Sequence, residues 1–138
     1  MGVILDTSLL IAAERRALRF EDLLGTLANE PVAVSAVTAS ELLHGCHRAA
    51  DRGTRARRSA FVEGLLGALP VMPFGLAEAR RHAELWADLA AGGTLIGTHD
   101  MLIAATALAR GYALATLNRR DFARIAGLQL IPTERYTT

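Results

Sequence analysis

The chain has no lysine. Its fifteen basic residues are all arginine, and fourteen Asp and Glu bring the formal charge to only +1. The absence excludes the phosphate-loop NTPases, whose glycine-rich loop ends in Lys. It also argues against phosphoaspartyl enzymes of the haloacid-dehalogenase and receiver types, which lean on a Lys near the phosphate. The former want a second acid two residues after the first, where this chain has Ser8. No G-x-G-x-x-G follows the first apolar run, which removes a dinucleotide-binding reading. A charge near zero cannot gather a polyanion by whole-molecule attraction, so any basic binding surface must be local.

Cysteine is nearly absent too. Cys46 is the only one, so no intrachain disulfide forms, and a buried spectator thiol in a reducing compartment is expected. No apolar run approaches the ~20 residues of a membrane span, and Asp6 arrives before a signal-peptide core can form. The expectation is a soluble, cytoplasmic protein without membrane contact. With 138 residues, the chain is expected to form one domain over residues 1–138. A chain of that length buries roughly two thirds of its unfolded surface and needs no staple.

What is present is a series of short apolar runs alternating with helical patterns. Val3, Ile4 and Leu5 read as a strand buried on both faces, followed by helical patches over residues 9–16 and 20–29. Residues 32–34 read as a second strand. A helix carrying Leu42 and Leu43 follows, then a basic window over residues 48–58 that opens another helix running to Pro70. Val71 and Met72, between prolines, read as a brief edge strand. Residues 76–91 predict the longest amphipathic helix, with an apolar stripe of Ala79, Ala83, Trp86 and Ala90, and Trp86 is expected in the core. A helix capped by Thr98 and stopped by Gly111 precedes a strand over residues 112–117, and residues 129–131 form a last strand. Strands alternating with helices predict a parallel sheet, an α/β fold with helices on both faces. Its functional groups should collect beyond the carboxyl ends of the strands, where strand order reverses.

Four acids occupy such turns or helix starts, and each has a structural reading beside the functional one. Asp6 suits an N-cap. Glu41 closes a capping box with Thr38. Asp100 complements a helix dipole, and Asp121 follows Asn118 at cap spacing. These readings do not explain why all four acids fall where a parallel sheet brings them to one edge. Carboxylates gathered there repel, so either their pKa values rise or a divalent cation neutralises them. All-oxygen ligation suits Mg²⁺, or Mn²⁺ in its place, and an ion so held acidifies its water and shields phosphate. The implied chemistry is phosphodiester hydrolysis.

The motifs Ile4-Leu5-Asp6-Thr7-Ser8, Ser40-Glu41-Leu42 with Gly45, His99-Asp100 with Ile103-Ala104-Ala105-Thr106-Ala107, and Thr116 with Asn118 and Asp121-Phe122 occur in order along the whole chain. In this the chain resembles the PIN-domain ribonucleases, and within them the VapC-type toxins of toxin–antitoxin pairs. The resemblance implies a three-layer α/β/α sandwich with a short central parallel sheet, Mg²⁺-dependent RNA cleavage and a homodimer. It also implies inhibition by a VapB-like antitoxin whose tail occupies the active-site groove. Asp6 and Asp100 map onto the principal metal ligands, Glu41 and Asp121 onto the other two acids. Thr7, Ser8, Thr116 and Asn118 map onto polar positions that orient them.

Around these, Arg119 and Arg120 offer guanidinium forks for RNA phosphates, against plain solvent exposure. His44 and His47 lack the partners that would complete a zinc site. His99 is read either as a substrate contact or as a partly buried helix-start residue. The window over residues 48–58 can meet RNA, an acidic antitoxin segment or only solvent. The rival functions are a PIN-fold nuclease acting on DNA or in RNA processing outside a toxin pair, and a PIN-like interaction module that does not cut.

Overall fold

A computed structural model describes residues 1–138. The apolar runs become five short strands: β1 (Val3–Leu5), β2 (Val32–Ser35), β3 (Val71–Met72), β4 (Ala113–Ala115) and β5 (Leu130–Ile131). All pair in parallel, in the order β3-β2-β1-β4-β5. The chain thus builds outward from β1 on one side, then returns to pair β4 with its other edge. Strand order reverses between β1 and β4, which is where the carboxyl ends of an open parallel sheet leave a crevice.

Seven helices cover the sheet: α1 (Thr7–Glu14), α2 (Phe20–Thr26), α3 (Ala36–His47), α4 (Arg52–Ala68), α5 (Leu76–Ala91), α6 (Thr98–Arg110) and α7 (Arg119–Phe122). Along β1, side chains alternate between faces as a strand requires. Val3 and Leu5 pack with Leu9, Leu23, Leu42, Cys46 and Val62 from α1 to α4. Ile4 packs on the opposite side with Leu114 of the neighbouring strand and with Leu85, Leu89, Ile103 and Phe122 from α5 to α7. The result is the α/β/α sandwich expected from the sequence, and Cys46 is buried in it as a free thiol. No helix is long and apolar enough to cross a membrane.

Several local expectations are corrected. Helix α3 begins at Ala36, directly from β2, with Ser35 as its N-cap accepting the Thr38 N–H at 3.0 Å. Thr38 is therefore inside the helix, and Glu41 lies too far along it to close a capping box. Gly97, not Thr98, is the N-cap of α6. Gly111 does end that helix, with φ of 68°, the left-handed conformation that glycine adopts without strain. Strand β4 is shorter than residues 112–117, because pairing with β1 stops at Ala115 and the chain then turns into the crevice.

The stripe on α5 is turned by one residue. Glu78, Leu85 and Leu89 face the core, and Trp86 is 54% exposed on the outer side. Alanine is abundant on both faces of this helix and so marks neither. The periodicity also passed over a buried acid. Glu78 closes a capping interaction by accepting the Gly75 N–H at 2.8 Å, and its carboxylate meets Arg110 of α6 at 3.5 Å. The structure predicts opposite costs for neighbouring truncations. In urea denaturation Leu85→Ala should lose roughly 2–5 kcal/mol, whereas Trp86→Ala should lose less than about 1 kcal/mol. Equal losses would place Trp86 in the core after all.

Candidate active site

The parallel register sets Leu5 beside Ala115, so the residues that follow β1 and β4 emerge together. Asp6 occupies the N-cap position of α1, with extended backbone, yet its side chain caps nothing. Its carboxylate is 2% exposed and turns toward β4, where Oδ2 accepts hydrogen bonds from the Thr116 and Ser8 hydroxyls, each at 2.6 Å. Those hydroxyls are tied down in turn. Ser8 Oγ accepts the Leu117 N–H at 3.2 Å, and Thr116 Oγ1 accepts the Asn118 N–H at 3.0 Å. A buried anion with such fixed partners is held for a purpose other than helix capping.

The second acid, Glu41, approaches from α3. Thr7, the first residue of α1, donates its hydroxyl to Glu41 Oε1 at 2.7 Å and lies 3.0 Å from Thr38 Oγ1. The other oxygen, Oε2, is 3.2 Å from His99 Nδ1, so the exposed His99 imidazole leans over the acids rather than into the core. Asp100 and Asp121 are joined by one carboxamide: Asn118 Nδ2 donates to Asp100 Oδ2 at 3.1 Å and to Asp121 Oδ2 at 3.3 Å. Asn118 thus holds two acids apart and in place, instead of capping α7.

The electrostatic consequence appears at Asp100, whose carboxyl is pushed up from 3.8 to about 6. Burial is the main cause, and repulsion from Asp6, Glu41 and Asp121 adds to it, against a smaller opposing effect from Asn118. All four acids predicted from the sequence therefore share one field, although they come from four separated segments. They are not clenched together, since no three His, Cys, Asp or Glu side chains converge as a preformed ligand set.

The structure separates the two arginines beside Asp121. Arg119 commits its guanidinium to the C-terminal segment, donating to the Ile131 carbonyl at 2.9 Å and pairing with Glu134 at 3.1 Å. Arg120 is exposed. Two supporting residues escaped the sequence reading. Thr133 donates to the Thr116 carbonyl at 3.1 Å, and Ser35 reaches Thr38 Oγ1 at 3.2 Å behind Thr7. Neither stands near one of the four site acids in sequence, so no local signal marks them.

From Glu41 and His99 a groove of about 760 Å³ runs away from the acids between α1, α3 and α4.

Comparison with known proteins agrees with this geometry. The PIN domain family profile matches residues 3–128. Ribonuclease VapC1 of Rickettsia felis is 39% identical over 137 residues, covering 95% of this chain and 96% of that protein. The tRNA(fMet)-specific endonuclease VapC of Salmonella typhimurium is 33% identical over 97 residues, 70% of this chain and 71% of its own length. Among solved structures, VapBC2 from Rickettsia felis bound to a DNA fragment from its promoter superposes with a TM-score of 0.87 at 27% identity. That match covers 95% of this chain and 98% of the other. The DNA-bound VapBC of Salmonella typhimurium gives 0.85 at 27% identity, over 95% and 97%. With a family profile spanning most of the sequence and a relative 39% identical along nearly all of it, the chain belongs to the PIN-domain family and to the VapC ribonucleases within it.

Proposed function

We propose that the protein is an Mg²⁺-dependent endoribonuclease, the toxin of a toxin–antitoxin pair, acting in the cytoplasm as a single PIN domain over residues 1–138. The observation that carries the chemistry is the gathering of four carboxylates at the β1–β4 crevice, where burial first and mutual repulsion second lift Asp100 to about 6. Such a field favours a divalent cation, and oxygen-only donors favour Mg²⁺ over softer metals, with Mn²⁺ able to substitute. VapC nucleases of the PIN family are metal-dependent in general.

In this reading Asp6 and Asp100 hold the ion, and Glu41 and Asp121 complete the acidic set. When bound, the cation supplies Lewis-acid chemistry: it acidifies water and offsets the charge of the phosphate under attack. The chain's own residues prepare that site. Thr116 and Ser8 fix Asp6 through Oδ2 and leave Oδ1 without a hydrogen-bond partner, Thr7 steers Glu41, and Asn118 spaces Asp100 from Asp121. Locked orienting partners of this kind typically change metal affinity or activity by roughly 10–100-fold when removed. Arg120, exposed next to Asp121, is the nearer candidate for a substrate phosphate, because Arg119 is already engaged.

The partners follow from the relatives. A VapB-like antitoxin is supported by VapBC complexes among the structural neighbours, and the homodimer that the family resemblance implies is part of the proposal. Initiator transfer RNA is the first substrate to test, because one relative is named for acting on it.

Asp6→Asn or Asp100→Asn should cut Mg²⁺-dependent cleavage of initiator transfer RNA or total bacterial RNA by roughly a hundredfold or more while the far-UV spectrum is unchanged. Full activity in either variant rejects the reading. The same acids make a stability prediction. Because Asp100 is raised in the folded state, the native protein binds more protons than the unfolded chain between about pH 4 and 6, so its contribution to stability falls across that window as pH rises. In EDTA, the melting temperature of Asp100→Asn minus that of the native protein should grow from pH 4 toward 6 and then level, leaving the inactive variant the more stable at pH 7. A difference that does not change with pH contradicts it.

A further inference from the structure

We infer that the groove between α1, α3 and α4 is an RNA track, which holds the single strand beside the scissile phosphate and contributes Arg48 and Arg15 as its phosphate contacts. The inference rests on the nuclease reading and adds a direction to it.

The groove shares Thr7, Glu41 and His99 with the acidic site, so whatever occupies it continues directly into the crevice. Along α3, Glu41, Gly45 and Arg48 succeed one another at i, i+4 and i+7, which places them on one face. Arg48 therefore lies about 10 Å along the axis from Glu41. That suits a phosphate neighbouring the scissile one rather than the scissile one itself. Gly45 sits between them, and a Cβ there would meet nothing within 4 Å, so the middle of the track is open. Ile11, 39% exposed, and Phe61 give the groove an apolar surface on which a base can lie.

The charges sort in the same direction. Of the acids on the groove outside the catalytic set, Glu14 pairs with Arg58 at 3.8 Å. Asp51 caps α4, accepting the Thr54 N–H at 2.8 Å and its hydroxyl at 3.0 Å. Arg58 also donates to the Gly45 carbonyl at 3.2 Å. Arg55 and Arg57 are likewise spent, on the His47 carbonyl and on Thr54. Arg15 at the end of α1 and Arg48 at the end of α3 are the groove cations left with no ion pair or side-chain hydrogen bond. Unpaired guanidiniums on an open groove that ends at a phosphodiester-cleaving site match the sign of a polyanion.

The test measures binding apart from cleavage. Fluorescence anisotropy of a labelled random-sequence RNA oligonucleotide long enough to span the groove is recorded on the full chain with Mg²⁺, before turnover. Arg48→Ala and Arg15→Ala should each weaken binding roughly tenfold and flatten the slope of log affinity against log salt by about 0.7. In cleavage assays the loss should fall on KM, not on kcat. Gly45→Leu should block the track while its melting temperature holds or rises, since leucine is the better helix former. Wild-type affinity and salt slope in both arginine variants, or unimpaired RNA binding by Gly45→Leu, overturn the inference. So do variants that bind RNA normally but escape silencing by a VapB-like antitoxin, for the groove then serves the antitoxin alone. If the native protein binds RNA through these residues and cuts none, the track stands and the nuclease reading fails.

Discussion

The pairing of β1 with β4 is the constraint on which the site depends. The strands are separated by more than a hundred residues, and only a chain that first builds β2 and β3 to one side can bring β4 back to the other edge of β1. Once it does, the hydrogen bond from Thr116 to Asp6 becomes short, buried and unavoidable. Everything else is arranged against that bond. Ser8 shares Oδ2 from one side, the backbone of Leu117 and Asn118 pins both hydroxyls, and Thr133, just past β5, fixes the carbonyl of Thr116. A carboxylate this deep is tolerated because fixed dipoles replace the water it gives up.

That arrangement works against stability by design. Asp100 stands among three other acids with a single carboxamide to moderate the repulsion. The fold absorbs the cost through two separate hydrophobic layers and through pairs such as Glu78 with Arg110 that lock α5 to α6 behind the sheet. Strain is thus concentrated at the crevice and compensated at a distance, as expected where a protein holds like charges together for use.

Much of this was legible in the sequence. The apolar runs at Val3, Val32 and Ala113 had to be buried strands, and acids immediately after such runs had to gather at one edge. The order of motifs along the chain carried the family. Orientation was harder to read. The capping readings of Asp6 and Glu41 were reasonable by spacing but wrong by direction, because a side chain's partner depends on which strand lies beside it, not on its neighbours in sequence. Trp86 was misplaced for a different reason: alanine on every side of α5 erases the contrast that periodicity needs. Arg119 and Arg120 look alike in sequence, and only the position of Glu134 and Ile131 separates a structural arginine from an exposed one.

The direct passage of β2 into α3 has a consequence for how this domain tolerates change. With Ser35 serving as both strand end and helix cap, no slack exists between the sheet and Glu41. The rotational phase of the helix is therefore slaved to strand register. Adding or deleting a single residue between Ser35 and Glu41 would swing the carboxylate by about 100° around the helix. Length polymorphism in this family should spare that junction and accumulate instead in connections that do not carry phase, such as residues 92–97 ahead of α6.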